Sequence, residues 1–134
     1  MSFLRRKRLP DRLEGCLAAF RRVEHEVQSA TAVLSKAAPT TRLPGLPLAE
    51  VLSEFEGHLG RARAGMEAWR APELEQPWRD CDEGLERARA LAERVRLDAS
   101  PPPGFEALIG LLDGLSAPLE AFEGAEAAFR ALRS

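Results

Sequence analysis

The sequence predicts an all-α protein, an antiparallel up-down-up-down four-helix bundle, on three observations. Apolar residues recur with a seven-residue beat in four segments of comparable length. Each connection between those segments carries proline. No segment shows the period-two alternation of a half-buried strand. With 134 residues, 45% hydrophobic and 30% charged, the chain suits one domain that buries roughly two-thirds of its unfolded surface.

Residues 1–10 read as a flexible basic arm and residues 11–134 as a single bundle domain. After Pro10, Asp11-x-x-Glu14 has the capping-box pattern that satisfies free N–H groups at a helix start. Leu13, Phe20, Val27 and Leu34 then form one apolar row, with Cys16, Val23, Ala30 and Ala37 beside it. The pattern stops at Pro39, which makes this first helix about 27 residues, or about 40 Å. Three prolines and a glycine between Pro39 and Pro47 mark a connection, and Pro47 suits the first position of the next helix. The second helix carries Leu48, Phe55, Ala62 and Trp69 in one row and Leu52, Leu59 and Met66 in the other. It ends near Arg70, because Pro72 disfavours helical geometry in Ala71.

Pro72 to Pro77 reads as a short acidic link, with the third helix starting around Pro77. Its rows, Trp78–Leu85–Ala92 and Cys81–Ala88–Val95, are the least bulky of the four stripes, with Leu91 at the edge. Asp80, Asp82 and Glu83 come early and Arg94 and Arg96 late, the order a helix dipole favours. Glu83 and Arg87 have the spacing of a surface ion pair. Ser100-Pro101-Pro102-Pro103-Gly104 breaks the chain. The fourth helix follows with Leu108, Leu115, Phe122 and Phe129 beside Leu111, Pro118, Ala125 and Leu132. Phe105, Leu112 and Leu119 broaden its stripe. Pro118 predicts a kink or restart there, with Ser116 as a candidate cap.

Composition narrows the function classes. A net charge of −2 gives no support to strong nucleic-acid binding. No apolar run is long enough for a transmembrane segment. Pro10, Asp11 and Arg12 stand where a signal peptide needs its apolar stretch, so a cytoplasmic location is expected. Cys16 and Cys81 match no metal-ligand spacing and read as free thiols on apolar faces. Neither histidine belongs to a Glu-x-x-His motif: Arg22 precedes His25 by three positions and Phe55 precedes His58. No cofactor or metal and no catalytic constellation is predicted.

His25, flanked by Glu24 and Glu26, falls away from the apolar rows and reads as a surface residue. His58 lies at the rim of the second helix's stripe, among Gly57, Gly60 and Gly65, which suit close helix approach. The segment His58-Leu59-Gly60-Arg61-Ala62 resembles the phosphoacceptor segment of histidine phosphotransfer domains, which are also four-helix bundles. In that family a basic and a small residue follow the histidine three and four positions later. Arg61 and Ala62 match those positions by class, while Gly60 replaces the usual apolar residue, and the likeness spans about seven residues. The resemblance implies phosphotransfer signalling with His58 as the phosphoacceptor.

Charge along the chain gives the other directional signal. Residues 1–22 carry seven bases against two acids, whereas Asp98 to Glu126 carries six acids and no base. Small residues flank the fourth stripe at seven-residue intervals: Ala107, Gly114, Ala121 and Ala128 on one side, Gly110, Ala117, Gly124 and Ala131 on the other. They read chiefly as room for neighbouring helices of the same bundle. Trp69 and Trp78 flank one connection and are expected to pack on each other in the core. The function expected is non-catalytic binding of a protein partner or self-association, as an adaptor, subunit or small regulator. The expected contact residues are Glu106, Asp113, Glu120 and Glu123, with Arg5, Arg6, Lys7 and Arg8 as a second contact. That basic arm also allows weak membrane-surface or nucleic-acid association.

Overall fold

A computed structural model describes residues 8–98 and 104–133. Pro10 is the last non-helical residue before α1 (Asp11–Leu34), with φ −53° and ψ 148°. Its carbonyl accepts the Leu13 and Glu14 N–H groups at 2.8 and 3.1 Å. The expected capping box does not form, because Asp11 falls one position inside the helix and no side chain caps its start. Asp11 and Glu14 still place negative charge in the first turn, against the positive end of the helix dipole. A 3₁₀ turn over Ser35–Ala37 finishes the helix, and Ala38 is extended ahead of Pro39, as the proline demands.

The same local chemistry starts α2 (Leu48–Ala64). Pro47 precedes the first helical residue rather than being it, and its carbonyl accepts the Glu50 and Val51 N–H groups. A 3₁₀ turn at Met66–Trp69 ends this segment. The link to α3 (Glu75–Asp98) is shorter than the sequence suggests, because Pro72–Leu74 forms a 3₁₀ turn and α3 begins two residues before Pro77. Proline is tolerated in a first turn, where N–H groups have no intrahelical acceptor. The fourth segment is α4 (Phe105–Ser116), a 3₁₀ turn at Ala117–Glu120, and α5 (Ala121–Ala131). Pro118 sits inside that turn, as its missing donor and its ring require. Ser116 does not act as a cap; its hydroxyl donates back to the Asp113 carbonyl at 3.1 Å.

The chain is therefore an all-α bundle of four long helical segments, with no strand among the described residues. Contacts along α1 and α2 run in opposite order. Lys36 meets Glu54, Glu26 meets His58, and a Cβ at Gly65 would stand 2.8 Å from Val23. Between α2 and α3, Arg96 donates to Glu56 at 3.1 Å while Arg63 reaches Glu86 nearer the other end. Glu86 also accepts from Arg89, and these two arginines, Arg89 first, pull its carboxyl down to about 2. The expected Glu83–Arg87 pair is not among the ion pairs of the described residues, where the neighbouring Glu86 pairs with Arg63 and Arg89.

Every buried side chain among the described residues is apolar. The apolar rows of α1, α2 and α3 supply the core as expected, joined by Leu9, Val51 and Leu74. On the fourth segment the stripe rotates: Leu112, Leu115, Leu119, Phe122, Ala125 and Phe129 are buried, while Leu108 and Leu111 are half-buried. Phe105 does not broaden the stripe, for it is 59% exposed one turn beyond the packed region. Trp69 and Trp78 do not pack on each other. Trp69 stands edge-on to Phe20 with ring centroids 4.9 Å apart, and the Trp78 indole N–H donates to the Met66 carbonyl at 2.8 Å. Arg70 stacks over the Trp78 ring at 4.0 Å.

The glycines and small residues behave differently from one another. Gly65 does bring α1 close, but Gly60 faces open space and Gly57 meets only the Arg61 guanidinium. The close approach that matters most is at Gly84 of α3, where a Cβ would collide with the Pro118 carbonyl. Ala121 and Ala128 of the fourth segment pack against the core, whereas Gly110, Ala117, Gly124 and Ala131 are exposed. Intramolecular packing thus accounts for part of one small-residue row and for none of the other.

Candidate functional site

The seam between α1 and the fourth segment is the open one. The fourth segment lies against α3, because Gly84 lets the Pro118 backbone press onto that helix. On the α1 side it is held mainly through aromatic rings. Phe20 meets Phe129 at 5.0 Å and Phe122 at 6.2 Å between centroids. Beside this contact runs a groove of about 590 Å³ floored by Val27, Leu119 and Phe122. A smaller hollow of about 240 Å³ continues it toward Ile109 and Ala38.

Carboxylates edge this seam. Glu120, Glu123 and Glu126 rim the larger groove from the fourth segment, Glu24 rims it from α1, and Asp113 lines the smaller hollow. Three of the four acidic residues expected at a contact surface, Asp113, Glu120 and Glu123, are therefore brought together here. Glu106 is exposed but lines neither hollow. Glu24 was not legible as a partner of these acids. Burial pushes its carboxyl up, and the neighbouring Glu126 carboxylate pushes it further. Arg21 opposes that shift. The sequence signal for Glu24 is its place one residue beyond Val23, at the margin of the α1 stripe. Past Glu126 the seam turns basic, lined by Arg21, Arg130 and Arg133.

A second cluster joins α1 to α2. His58 is half-buried, with 22% of its side chain exposed. Its Nδ1 lies 2.8 Å from Glu26 Oε2 and 3.0 Å from an Arg61 guanidinium nitrogen. One ring nitrogen cannot donate to the carboxylate and accept from the arginine together. The carboxylate assigns the N–H to Nδ1, which leaves Nε2 with its lone pair in the neutral ring. Arg61 also donates to the same Glu26 oxygen at 3.3 Å. The His58 hydrogen bond first, and then Arg61, hold Glu26 below the usual carboxylate range. The cluster ties two helices together and fixes the orientation of the imidazole.

His25 is exposed on α1, as expected. Cys81 is fully buried, and that burial, with lesser contributions from Asp80 and Glu24, pushes its thiol up to about 12. Cys16 is half-buried and both thiols are free. Among the described residues no group of three or more His, Cys, Asp or Glu is arranged to hold a metal ion. Nor is any of their helices long and apolar enough to cross a membrane. Arg5, Arg6 and Lys7 lie outside the described residues, and Arg8 is exposed. Comparison with protein-family models, with curated proteins and with solved structures finds no match for this chain.

Proposed function

We propose that this chain is a non-catalytic, cytoplasmic helical-bundle protein that works by binding protein, as an adaptor, subunit or small regulator. The contact surface is the acidic face of the fourth segment, Glu106, Asp113, Glu120 and Glu123, with Arg5, Arg6, Lys7 and Arg8 as a second contact. One contrast supports this reading. Several carboxylates on the other helices are matched with arginine: Glu26 with Arg61, Glu56 with Arg96, Glu75 with Arg70 and Arg79, Glu86 with Arg63 and Arg89, although Asp11, Glu14, Glu50, Asp80, Asp82 and Glu83 are not among the ion pairs of the described residues. Among the described residues Glu106, Asp113, Glu120 and Glu123 have no such partner, and of the fourth segment's acids only Glu126 is paired, with Arg130 at 3.5 Å. Unmatched like charges repel within the chain and favour a cationic partner. The test is light scattering together with capture from native lysate. The chain self-associates or retains a partner, and the variant Glu106→Gln/Asp113→Asn/Glu120→Gln/Glu123→Gln loses it. A monomer with no retained partner overturns the reading.

The Glu26–His58 hydrogen bond favours a second reading, phosphotransfer through His58. With Nδ1–H held by the carboxylate, Nε2 is the ring atom left to attack a phosphoryl group, while Arg61 lies on the Nδ1 side of the ring. The native chain, incubated with a phosphorylated receiver or a histidine kinase and ATP, then acquires an acid-labile phosphate that His58→Gln lacks. No label on the native chain removes this reading.

A further inference from the structure

We propose that the seam between α1 and the fourth segment receives one basic amphipathic helix of a partner protein. Its Lys and Arg residues lie against Glu24, Glu120, Glu123 and Glu126, and its apolar stripe enters at Phe105 and Ile109. This deepens the protein-binding reading above and rests on it.

Charge complementarity selects the occupant. From Asp113 to Glu126 the fourth segment offers four carboxylates and no cation, and Glu24 adds a fifth from the facing helix. Glu24 and Glu126 line the same groove, an arrangement of two acids that a cation between them relieves. Shape selects a helix. Ile109 to Glu126 spans 17 positions, or about 26 Å at 1.5 Å per residue, which matches a partner helix of about 17 residues. The apolar entrance is built by sequence spacing. Phe105 precedes Ile109 by one helical turn and is 59% exposed, and Ile109 lines the smaller hollow with Ala38 and Leu112. A helix laid along this line meets an aromatic anchor first and an acidic band after it. Helix-in-groove recognition uses that combination of an apolar stripe and flanking charge.

Within the described bundle Arg130 pairs with Glu126 at 3.5 Å, both side chains being exposed, and Glu24, Glu120 and Glu123 have no ion-pair partner among the described residues. Arg21, Arg130 and Arg133 lie at the far end of the seam, beyond Glu126. The sequence ahead of α1 contains another basic segment with apolar residues, Phe3 to Arg8. Its second copy is thus the competing occupant that the experiment has to separate.

The probes are a labelled 17-residue Leu/Lys amphipathic peptide, its Leu/Glu counterpart, and a peptide of residues 1–12, each titrated into the full chain by fluorescence anisotropy. The Leu/Lys peptide binds and the Leu/Glu peptide does not. Its affinity falls by about tenfold or more in Glu24→Gln/Glu120→Gln/Glu123→Gln/Glu126→Gln, and also falls in Phe105→Ser. The control Glu67→Gln/Asp80→Asn/Asp82→Asn/Glu83→Gln, with the same change in charge on other elements, leaves it unchanged. Equal weakening in the control shows attraction to net charge alone and overturns the proposal. Tighter binding of the residue 1–12 peptide than of the Leu/Lys peptide makes the occupant a second copy of this chain, which also overturns it. If no peptide binds while the lysate partner is still lost on neutralising the acids, the helix proposal falls and the protein-binding reading stands.

Discussion

Truncating Phe20 to alanine lowers the free energy of unfolding by about 3–5 kcal/mol. Phe20 is fully buried on α1 and is the ring that three others meet: Trp69 edge-on, Phe129 tilted and Phe122 stacked. Removing it loses the transfer energy of the ring and leaves a cavity walled by aromatic groups too rigid to collapse fully. A domain of this size has a total stability of the order of 5–15 kcal/mol, so the loss is a large share of it. The seam between α1 and the fourth segment depends on the same ring, which makes Phe20→Ala open that seam further. Urea unfolding followed by circular dichroism measures the change, with Phe105→Ala as the exposed aromatic control expected to shift stability by no more than about 0.5 kcal/mol. A cost for Phe20→Ala equal to that of Phe105→Ala would contradict the packing described.

Two glycine-to-alanine substitutions have opposite signs. Gly60→Ala stabilises the chain by about 0.5–1 kcal/mol, because a helical glycine carries an entropic cost and its Cβ would enter open space. Gly84→Ala gains the same helix propensity yet destabilises by about 1–3 kcal/mol net. The difference is the neighbour. A Cβ at Gly84 runs into the Pro118 carbonyl, a backbone group that cannot swing aside, with the Ala121 methyl next to it. The fourth segment then has to move off α3, which narrows the α1 seam. Melting temperatures of the two variants, measured side by side, check the signs. A stabilised Gly84→Ala would mean that the fourth segment does not press on α3.

Much of this bundle is legible in the sequence because its information is local. The seven-residue rows identify the buried faces of α1, α2 and α3, and prolines at 39, 72 and 118 mark where backbone geometry must change. Prolines at 10 and 47 were read one residue out of place, since a capping carbonyl and a first helical residue obey the same local preferences. The fourth stripe was less legible. The seven-residue spacing survives the 3₁₀ turn, since Leu112 and Leu119, and Leu115, Phe122 and Phe129, are all buried across it, and the pattern fails instead at the start of the segment. Phe105 shares the row of Leu112 and Leu119 yet is exposed, because it stands in the first turn of α4, ahead of the packed region.

The candidate contact surface divides in the same way. That the fourth segment is acidic, and that Asp113, Glu120 and Glu123 lie off its apolar stripe, follows from residue order alone. Sequence periodicity on one helix cannot say which carboxylate on another helix it will meet. In the sequence Glu24 and Glu26 are simply the neighbours of His25, yet in the fold Glu24 shares a groove with Glu126 and Glu26 meets His58. Successive residues on a helix point about 100° apart, so neighbours in the chain serve different interfaces.

By itself, then, the sequence determined the four helical segments, the buried faces of the first three and the acidic character of the last one, because periodicity and proline act within a few residues. Only the tertiary structure decided which seam stays open. Gly84 and Pro118 are 34 positions apart in the sequence, and the contact between them draws the fourth segment toward α3 and away from α1. That choice depends on how whole helices fit together in space, and it is what places Glu24 and Glu126 on opposite rims of a single groove.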